Sequence, residues 1–375
     1  MGNGLRGLAI LGSTGSIGRQ TLDVVRSFPD RFSVVGLAAG KNCAMLAQQV
    51  QEFSPQVAYS AAPTPELESA RTDGCRWASL EEIATHPDVD AVMVATVGRV
   101  GLAPTLAAIR QGKTIILANK EVIVAAGELV MAEARRYNVP VLPVDSEPSA
   151  IWQCLRGEDS VARLILTASG GPFRERPIEE LAHVTPEEAL KHPTWSMGDK
   201  VTIDSSTLMN KGMEVIESHC LFDIPYEKID VVVHPQSIVH SFVEFADGSI
   251  KAQIGPPDMR LPIQYALTYP ERWYNKQNPR LASLADVSFT FQELDQARYP
   301  CFRLAVEAGR KGGTYPAVLS AADEVAVNLF LNGRIGFTEI FNVVEGVLAK
   351  HTPASDPSLE DILLADQWAR EAAAS

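Results

Sequence analysis

The sequence predicts an α/β protein that opens with a doubly wound, mostly parallel sheet. Three observations predict this. Short apolar runs alternate with stretches of helical periodicity up to about residue 150. A glycine cluster sits between the first run and the first helical stretch. Past residue 301 the periodicity is helical alone.

Leu8–Leu11 reads as the first strand. Thr21, Val24, Val25 and Phe28 follow at helical spacing, and Pro29-Asp30 stops that helix. Phe32–Ala39 is a second buried strand. Ala91–Ala95 reads as strand, Thr105–Ile109 as helix and Thr114–Leu117 as strand, and Val139–Val144 closes the first half. Such alternation predicts right-handed crossovers. Residues 151–285 are richer in Pro and in strands, with Val231–Val233 and Ser241–Phe245 among them. Asp247-Gly248 is a hairpin signal leading into Ser249–Ile254. Leu319, Ala322, Val325, Ala326, Leu329 and Phe330 share one helical face. The expected organisation is 1–150, an α/β domain; 151–285, an α+β domain with a loop at about 190–200; 286–300, a linker; and 301–375, a helical bundle.

A chain of 375 residues, 46% hydrophobic and 21% charged, can bury a large core. Its net charge of −13 argues against a nucleic-acid or anionic-membrane surface. It leaves room for a small anionic substrate, because a few local donors outweigh the global field. The five cysteines form no C-x-x-C pair, which predicts a reducing, cytoplasmic setting. No apolar stretch approaches a membrane span, since Lys120 and Glu121 interrupt the longest candidate. The leading run MGNGLRGLAILG is too short for a secretory core.

The cluster Gly12-Ser-Thr14-Gly15-Ser16-Ile17-Gly18 has the form of a Rossmann-type dinucleotide loop. Glycines let the backbone approach a pyrophosphate, and the helix N-terminus offers unpaired N–H groups. The plain alternative is a structural strand–helix turn. The second strand ends in Ala39-Gly40-Lys41-Asn42, with no acid to hold a ribose 2′-hydroxyl. Lys41 stands where a 2′-phosphate would sit, so the pattern favours NADPH, unless Lys41 is simply solvated.

Asp145-Ser146-Glu147 follows an apolar strand. The two carboxylates point the same way if the strand continues, and oxygen ligands suit a hard cation. The competing reading is a helix N-cap before Pro148. A third carboxylate is Glu214. Asn210, Lys211 and Glu214 fall on one helical face, as a ligand set or as a surface ion pair. Ser205 and Ser206 crowd further donors nearby. Ser169-Gly170-Gly171-Pro172 is a turn able to present N–H groups to an anion. The segment from His192 to Gly198, with Trp195 and Met197, reads as a lid or as a packed loop.

These motifs in this order resemble the 1-deoxy-D-xylulose 5-phosphate reductoisomerase family of the non-mevalonate isoprenoid pathway. The resemblance runs through GSTGSIG, AGKN, ANKE (118–121), DSE, ASGGPF (168–173), HPTWSMG, DSSTLMNKGMEVIE (204–217), HPQSIVHSFVEFADGS (234–249) and GPPDMRLPIQYAL (255–267). It implies a homodimer using NADPH and Mg²⁺, Mn²⁺ or Co²⁺ to convert 1-deoxy-D-xylulose 5-phosphate to 2-C-methyl-D-erythritol 4-phosphate. It implies that Asp145, Glu147 and Glu214 bind the metal, and that Lys120, Glu147 and Glu214 are catalytic. Ser169, His192, Ser205, Asn210 and Lys211 would hold the phosphate, with Ser146 and Lys120 beside the sugar and Trp195 over it. Gly12, Thr14–Ile17, Gly40–Asn42, Asn119–Glu121 and Gly198 would contact the cofactor, and His240 would lie near the site. The implied route is a carbon-skeleton rearrangement by aldol cleavage and rejoining, followed by hydride reduction.

One position departs from the family pattern. DSEHSA becomes Asp145-Ser-Glu-Pro148-Ser-Ala, and a proline there stiffens the turn. The proposed ligands are unchanged, so activity is expected to survive. Two other readings are a Rossmann reductase acting on a semialdehyde and a non-catalytic NADPH sensor. The first leaves the three carboxylates unexplained, and the second rests on Pro148 alone.

Overall fold

The computed structural model describes residues 5–69, 74–195, 197–281, 283, 285 and 287–375. Residues 1–4 of the leading run, residue 196 of the expected lid and residue 286 of the expected linker lie outside the described residues.

In chain order the first elements are β1 (Arg6–Leu11), α1 (Ser16–Arg26), β2 (Phe32–Ala39), α2 (Cys43–Phe53), β3 (Val57–Ser60), α3 (Pro65–Ser69), β4 (Arg76–Trp77) and α4 (Leu80–Ala84). Next come β5 (Ala91–Val94), α5 (Leu102–Arg110), β6 (Thr114–Leu117), α6 (Lys120–Arg136), β7 (Val141–Pro143), α7 (Ser146–Cys154) and β8 (Val161–Ala168). Then follow α8 (Pro186–Ala189), α9 (Asp199–Thr207), α10 (Met209–Phe222), β9 (Ile229–Val233), β10 (Val239–Phe245), β11 (Ile250–Ile254) and α11 (Arg260–Thr268). The chain ends with β12 (Gln292–Glu293), α12 (Pro300–Lys311), α13 (Tyr315–Leu331), α14 (Glu339–Lys350) and α15 (Leu359–Ala374).

Contacts divide the chain into two compact units. The first takes in the chain up to Asn119, Val130–Ser149 and Asp258–Pro279. It holds a seven-stranded parallel sheet in the order β4-β3-β2-β1-β5-β6-β7. The strand order reverses at β1, between β2 and β5, which is where such sheets open a crevice for ligands. Leu8–Leu11, Ala91–Val94 and Ile115–Leu117 are fully buried, as continuous apolar strands covered on both faces must be. The expected strands are present, trimmed at Ala95, at Val139 and Pro140, and at Val144. The short strands β3 and β4, the latter at the sheet edge, had too little pattern to announce them. Helix α11 packs on α1, and Trp273 lays its ring edge-on to Phe28 at 5.3 Å.

The second unit comprises Lys120–Leu129, Ala150–Pro257 and the chain from Arg280. Its five-stranded sheet runs β11-β10-β8-β9-β12, parallel only between β8 and β9. The Asp247-Gly248 hairpin joins β10 to β11 as its turn chemistry requires. The expected linker 286–300 contributes β12, which pairs with β9 and therefore belongs to the sheet.

This grouping differs from the expected 1–150, 151–285, 286–300 and 301–375, and packing gives the reason. One core holds Met209, Met213 and Ile216 of α10 together with Ala305, Val318, Phe330 and Ala369 of the C-terminal helices. The helical tail shares that core instead of building its own. Helix α13 is correspondingly buried on more than one face. Val318 and Ala321 are as buried as Leu319 and Ala322, while Val325 and Leu329 are half-exposed. Helices α9, α12, α14 and α15 all pack against it.

Candidate active site

In the first unit the β1–α1 loop is shaped by close backbone approach. Gly12 has φ of +94°, and a Cβ there would lie 2.2 Å from Ala95 O. A Cβ on Gly18 would meet Gly12 O at 2.2 Å. The α1 N-cap is Gly15, with no side-chain cap and no acid in the first turn. The N–H groups of Ser16 and Ile17 thus stand at a helix N-terminus suited to an anion, with Thr14 beside them. Sequence reasoning missed Gln49, which fixes the loop from below. Its amide donates to Ser13 O at 2.9 Å and its Oε1 accepts from Ser13 Oγ at 2.7 Å.

Gly40, Lys41 and Asn42 are exposed where β2 ends. Asn42 Oδ1 accepts from Met45 N and caps α2, which leaves Lys41 as the local cation. Asn119 is buried after β6. Its Nδ2 donates to Thr96 Oγ1 at 3.0 Å and to Gly98 O at 2.8 Å, so its amide nitrogen holds the loop after β5 in place.

The strand does not continue through Asp145-Ser146-Glu147. Helix α7 begins at Ser146, and Asp145 O accepts from Ser149 N, the first turn of that helix. Asp145 Oδ1 accepts from Ser146 N at 3.0 Å, and Ser146 Oγ donates to Glu147 Oε2 at 2.7 Å. The expectation that 145 and 147 align by strand alternation is therefore replaced by a helix N-terminus, where carboxylates are favoured by the dipole. Pro148 lies in the first turn of α7. Its missing N–H has no partner to lose there, so it does not stiffen a free turn as expected.

The second unit gathers the remaining residues. Helix α10 places Asn210, Lys211 and Glu214 on one face. Glu214 is 1% exposed and Lys211 4%, which removes the surface ion pair as an explanation. Lys120, at the start of α6, donates to Asn210 Oδ1 at 2.6 Å and to Glu214 Oε1 at 3.1 Å. Asn210 Nδ2 donates to Glu214 Oε1, and Lys211 to Glu214 Oε2. Removing one partner from a buried ion network of this kind costs about 3–5 kcal/mol. Ser205 is buried near the end of α9, just before the Leu208 corner into α10.

His192 Nδ1 accepts from Thr194 N at 3.2 Å and Trp195 N at 2.9 Å. The ring proton therefore sits on Nε2, which lies 3.1 Å from Ser169 Oγ. Burial first, and then the Arg174 charge, lower the His192 pKa to about 4, so the ring is a neutral donor. Gly171 N donates to Ser169 Oγ. Gly198 caps α9, so the loop that carries Trp195 ends there. The Trp195 ring lies 6.0 Å from that of His240. Burial outweighs the hydrogen bonds of His240 to the backbone at Gly255 and Pro256 and lowers its pKa to about 4. Glu121, expected at the cofactor, lies 3.9 Å from Lys200 Nζ within the second unit. Lys200, Asp204 and Asp323 form a buried cluster there that the sequence reading did not assign. The Lys200–Asp204 spacing of four residues and the acid inside the apolar α13 were the available signals.

Comparison with known proteins covers nearly the whole chain. The family model described as 1-deoxy-D-xylulose 5-phosphate reductoisomerase matches residues 8–127. The model of that enzyme's C-terminal domain matches 141–222, and that of the DXP reductoisomerase C-terminal domain matches 254–372. The chain is 54% identical to the 1-deoxy-D-xylulose 5-phosphate reductoisomerase of Pelotomaculum thermopropionicum, covering 98% of this chain and 97% of that one. It is 51% identical to that of Bacillus cereus strain Q1, with 98% of each covered. The Zymomonas mobilis enzyme in complex with NADPH superposes with a TM-score of 0.91 at 44% identity, over 99% of this chain and 98% of that one. A DOX-P reductoisomerase in complex with NADPH, fosmidomycin and magnesium gives 0.91 at 38%, with the same coverage. The chain belongs to the 1-deoxy-D-xylulose 5-phosphate reductoisomerase family.

Proposed function

We propose that the chain converts 1-deoxy-D-xylulose 5-phosphate to 2-C-methyl-D-erythritol 4-phosphate with NADPH and a divalent cation. The observation within the fold that carries this reading is the buried group of Lys120, Asn210, Lys211 and Glu214. Two ammonium groups and an amide gathered round one carboxylate are charged and polar donors of the kind that bind a phosphate. The relatives solved with NADPH and magnesium support the same cofactors here.

Asp145, Glu147 and Glu214 would hold the cation. The set offers carboxylate oxygen only, with neither thiol nor imidazole, and so fits a hard ion such as Mg²⁺ or Mn²⁺. When bound, the cation supplies Lewis acidity to the substrate's ketone and hydroxyl oxygens, and NADPH supplies hydride. The backbone from Gly12 to Ile17 would receive the pyrophosphate, and Lys41 with Asn42 the 2′-phosphate. Ser169, Ser205, Asn210 and Lys211 would bind the substrate phosphate, joined by the Nε2–H of neutral His192. Lys120 and Ser146 would orient the sugar's oxygens, and Trp195 would cover it and exclude water. Gly198 would hinge the lid at the cofactor, and Asn119 would act through the Thr96–Gly98 loop.

The test is NADPH consumption with this sugar phosphate, with Mg²⁺, with Mn²⁺ and with chelator. Consumption that needs the metal is expected. A semialdehyde reductase would consume NADPH only with an aldehyde, and a sensor would consume none. A homodimer belongs to the same proposal, supported by Ile250 and Ile254, 53% and 43% exposed on the edge strand β11. Cytoplasmic placement is supported by the free cysteines. Among the described residues no helix is long and apolar enough to cross a membrane.

A further inference from the structure

Helix α9 carries a buried ion cluster that none of the roles above uses. Lys200 Nζ donates to Asp204 Oδ2 at 2.5 Å within the helix and to Asp323 Oδ2 at 2.8 Å on α13, with Glu121 of α6 nearby at 3.9 Å. Asp204 and Asp323 are 2% and 0% exposed. One ammonium cannot neutralise three carboxylates. The second oxygens, Asp204 Oδ1 and Asp323 Oδ1, are buried without a hydrogen-bond partner. An arrangement like this is a poor source of stability, because apolar packing in the same volume would serve as well or better.

What the cluster fixes is position. Leu208 has φ of +55°, so α9 and α10 meet at a corner and not as one continuous helix. Helical hydrogen bonding therefore does not set the direction of α9 relative to α10. Asp204 immediately precedes Ser205. Glu121 immediately follows Lys120, whose ammonium reaches Asn210 and Glu214. Helix α13 contributes Val318, Leu319, Ala322, Ala326, Val327 and Phe330 to the shared core and gives Lys200 a fixed counter-charge.

We propose that Lys200 is a positioning residue for the substrate phosphate, its link to Asp323 holding α9 so that Ser205 stays in register with Asn210 and Lys211. This rests on the phosphate reading above. Burial, then the Asp323 charge, hold the Asp204 carboxyl well above its usual range despite Lys200. The link that ties α9 to another helix is Lys200 to Asp323, because Asp204 belongs to α9 itself.

The test uses the full-length enzyme and compares Lys200→Met, Asp323→Asn, Asp204→Asn and, as a control, Lys211→Ala. KM for the sugar phosphate, kcat and the Kd for NADPH are measured for each. Lys200→Met and Asp323→Asn should raise KM about tenfold, with kcat within about threefold and NADPH affinity unchanged. Asp204→Asn should stay within about twofold of the parent, because it alters a contact inside α9 and leaves the link from Lys200 to α13 in place. If Lys200→Met does not fold, the isosteric Asp323→Asn decides. A parent-like KM in Asp323→Asn while Lys211→Ala raises KM overturns the positioning role and leaves the phosphate site standing. Equal losses in KM, kcat and NADPH affinity also overturn it, in favour of a general structural role. An unchanged KM in Lys211→Ala removes the phosphate reading itself.

Discussion

In the loop between β1 and α1, the groups able to receive an anion are backbone N–H groups at a helix end, uncapped and free of nearby acid. At the corner between α9 and α10 they are side chains, Lys120, Asn210 and Lys211, all tied to one buried carboxylate. The backbone site depends on the absence of atoms, since Gly12 and Gly18 leave no room for a Cβ. The side-chain site depends on charged groups gathered round one carboxylate in a dry interior. The two should therefore fail in different ways, one by crowding and the other by loss of charge.

The largest expected effect is at the charged site. Glu214→Gln should lower kcat on the order of 100-fold or more, by removing a proposed metal ligand and leaving two ammonium groups facing a neutral amide. NADPH titrations should match the parent, because the backbone site is untouched. Parent-like turnover would break the contrast. The opposite arm is Gly18→Ala. Its Cβ would press on Gly12 O, so NADPH affinity should fall about tenfold and stability by about 1–3 kcal/mol. Fluorescence titration and thermal melts check this, and unchanged NADPH binding would show that the loop can relax.

The smallest effect sharpens the comparison through pH. His192 and His240 both lie in the second unit with pKa values lowered to about 4. Between about pH 6.5 and 4 the unfolded chain binds protons that the folded chain does not. Stability should therefore fall as pH drops through that window, by a few degrees in Tm between pH 7 and 4.5. His192→Gln should flatten part of that slope. A slope unchanged by the substitution would mean that His192 is not held neutral.

Much of the first unit could be read directly from the text. β1, β2, β5 and β6 are uninterrupted apolar runs, and a strand buried on both faces needs nothing else to announce it. The two-residue strands β4 and β12 could not be read this way, because they exist only through their partners in the sheet. Asn210, Lys211 and Glu214 were legible because helical spacing puts them on one face. That they are buried was not, since the same spacing describes a solvated ion pair. Asp145 and Glu147 were picked out as a pair, but the conformation joining them was misread, because an acid before Pro fits a strand end and a helix start equally well. The direction of the Glu121 side chain was not legible either. Its neighbour Lys120 faces Glu214, and a helical step of one residue turns the next side chain toward Lys200.

The sequence by itself determined the alternating α/β order, the glycine loop, the absence of an acid after β2 and the identity of the oxygen-donor residues. These are local properties, set by periodicity, by steric demands at single positions and by side-chain chemistry. Only the tertiary structure decided that the helical tail shares its core with the central sheet unit, that Glu214 is enclosed by two lysines, and that Lys200 joins Asp204 to Asp323. Burial and charge pairing depend on residues far apart in the chain, and the field at one side chain is fixed only when the others have arrived.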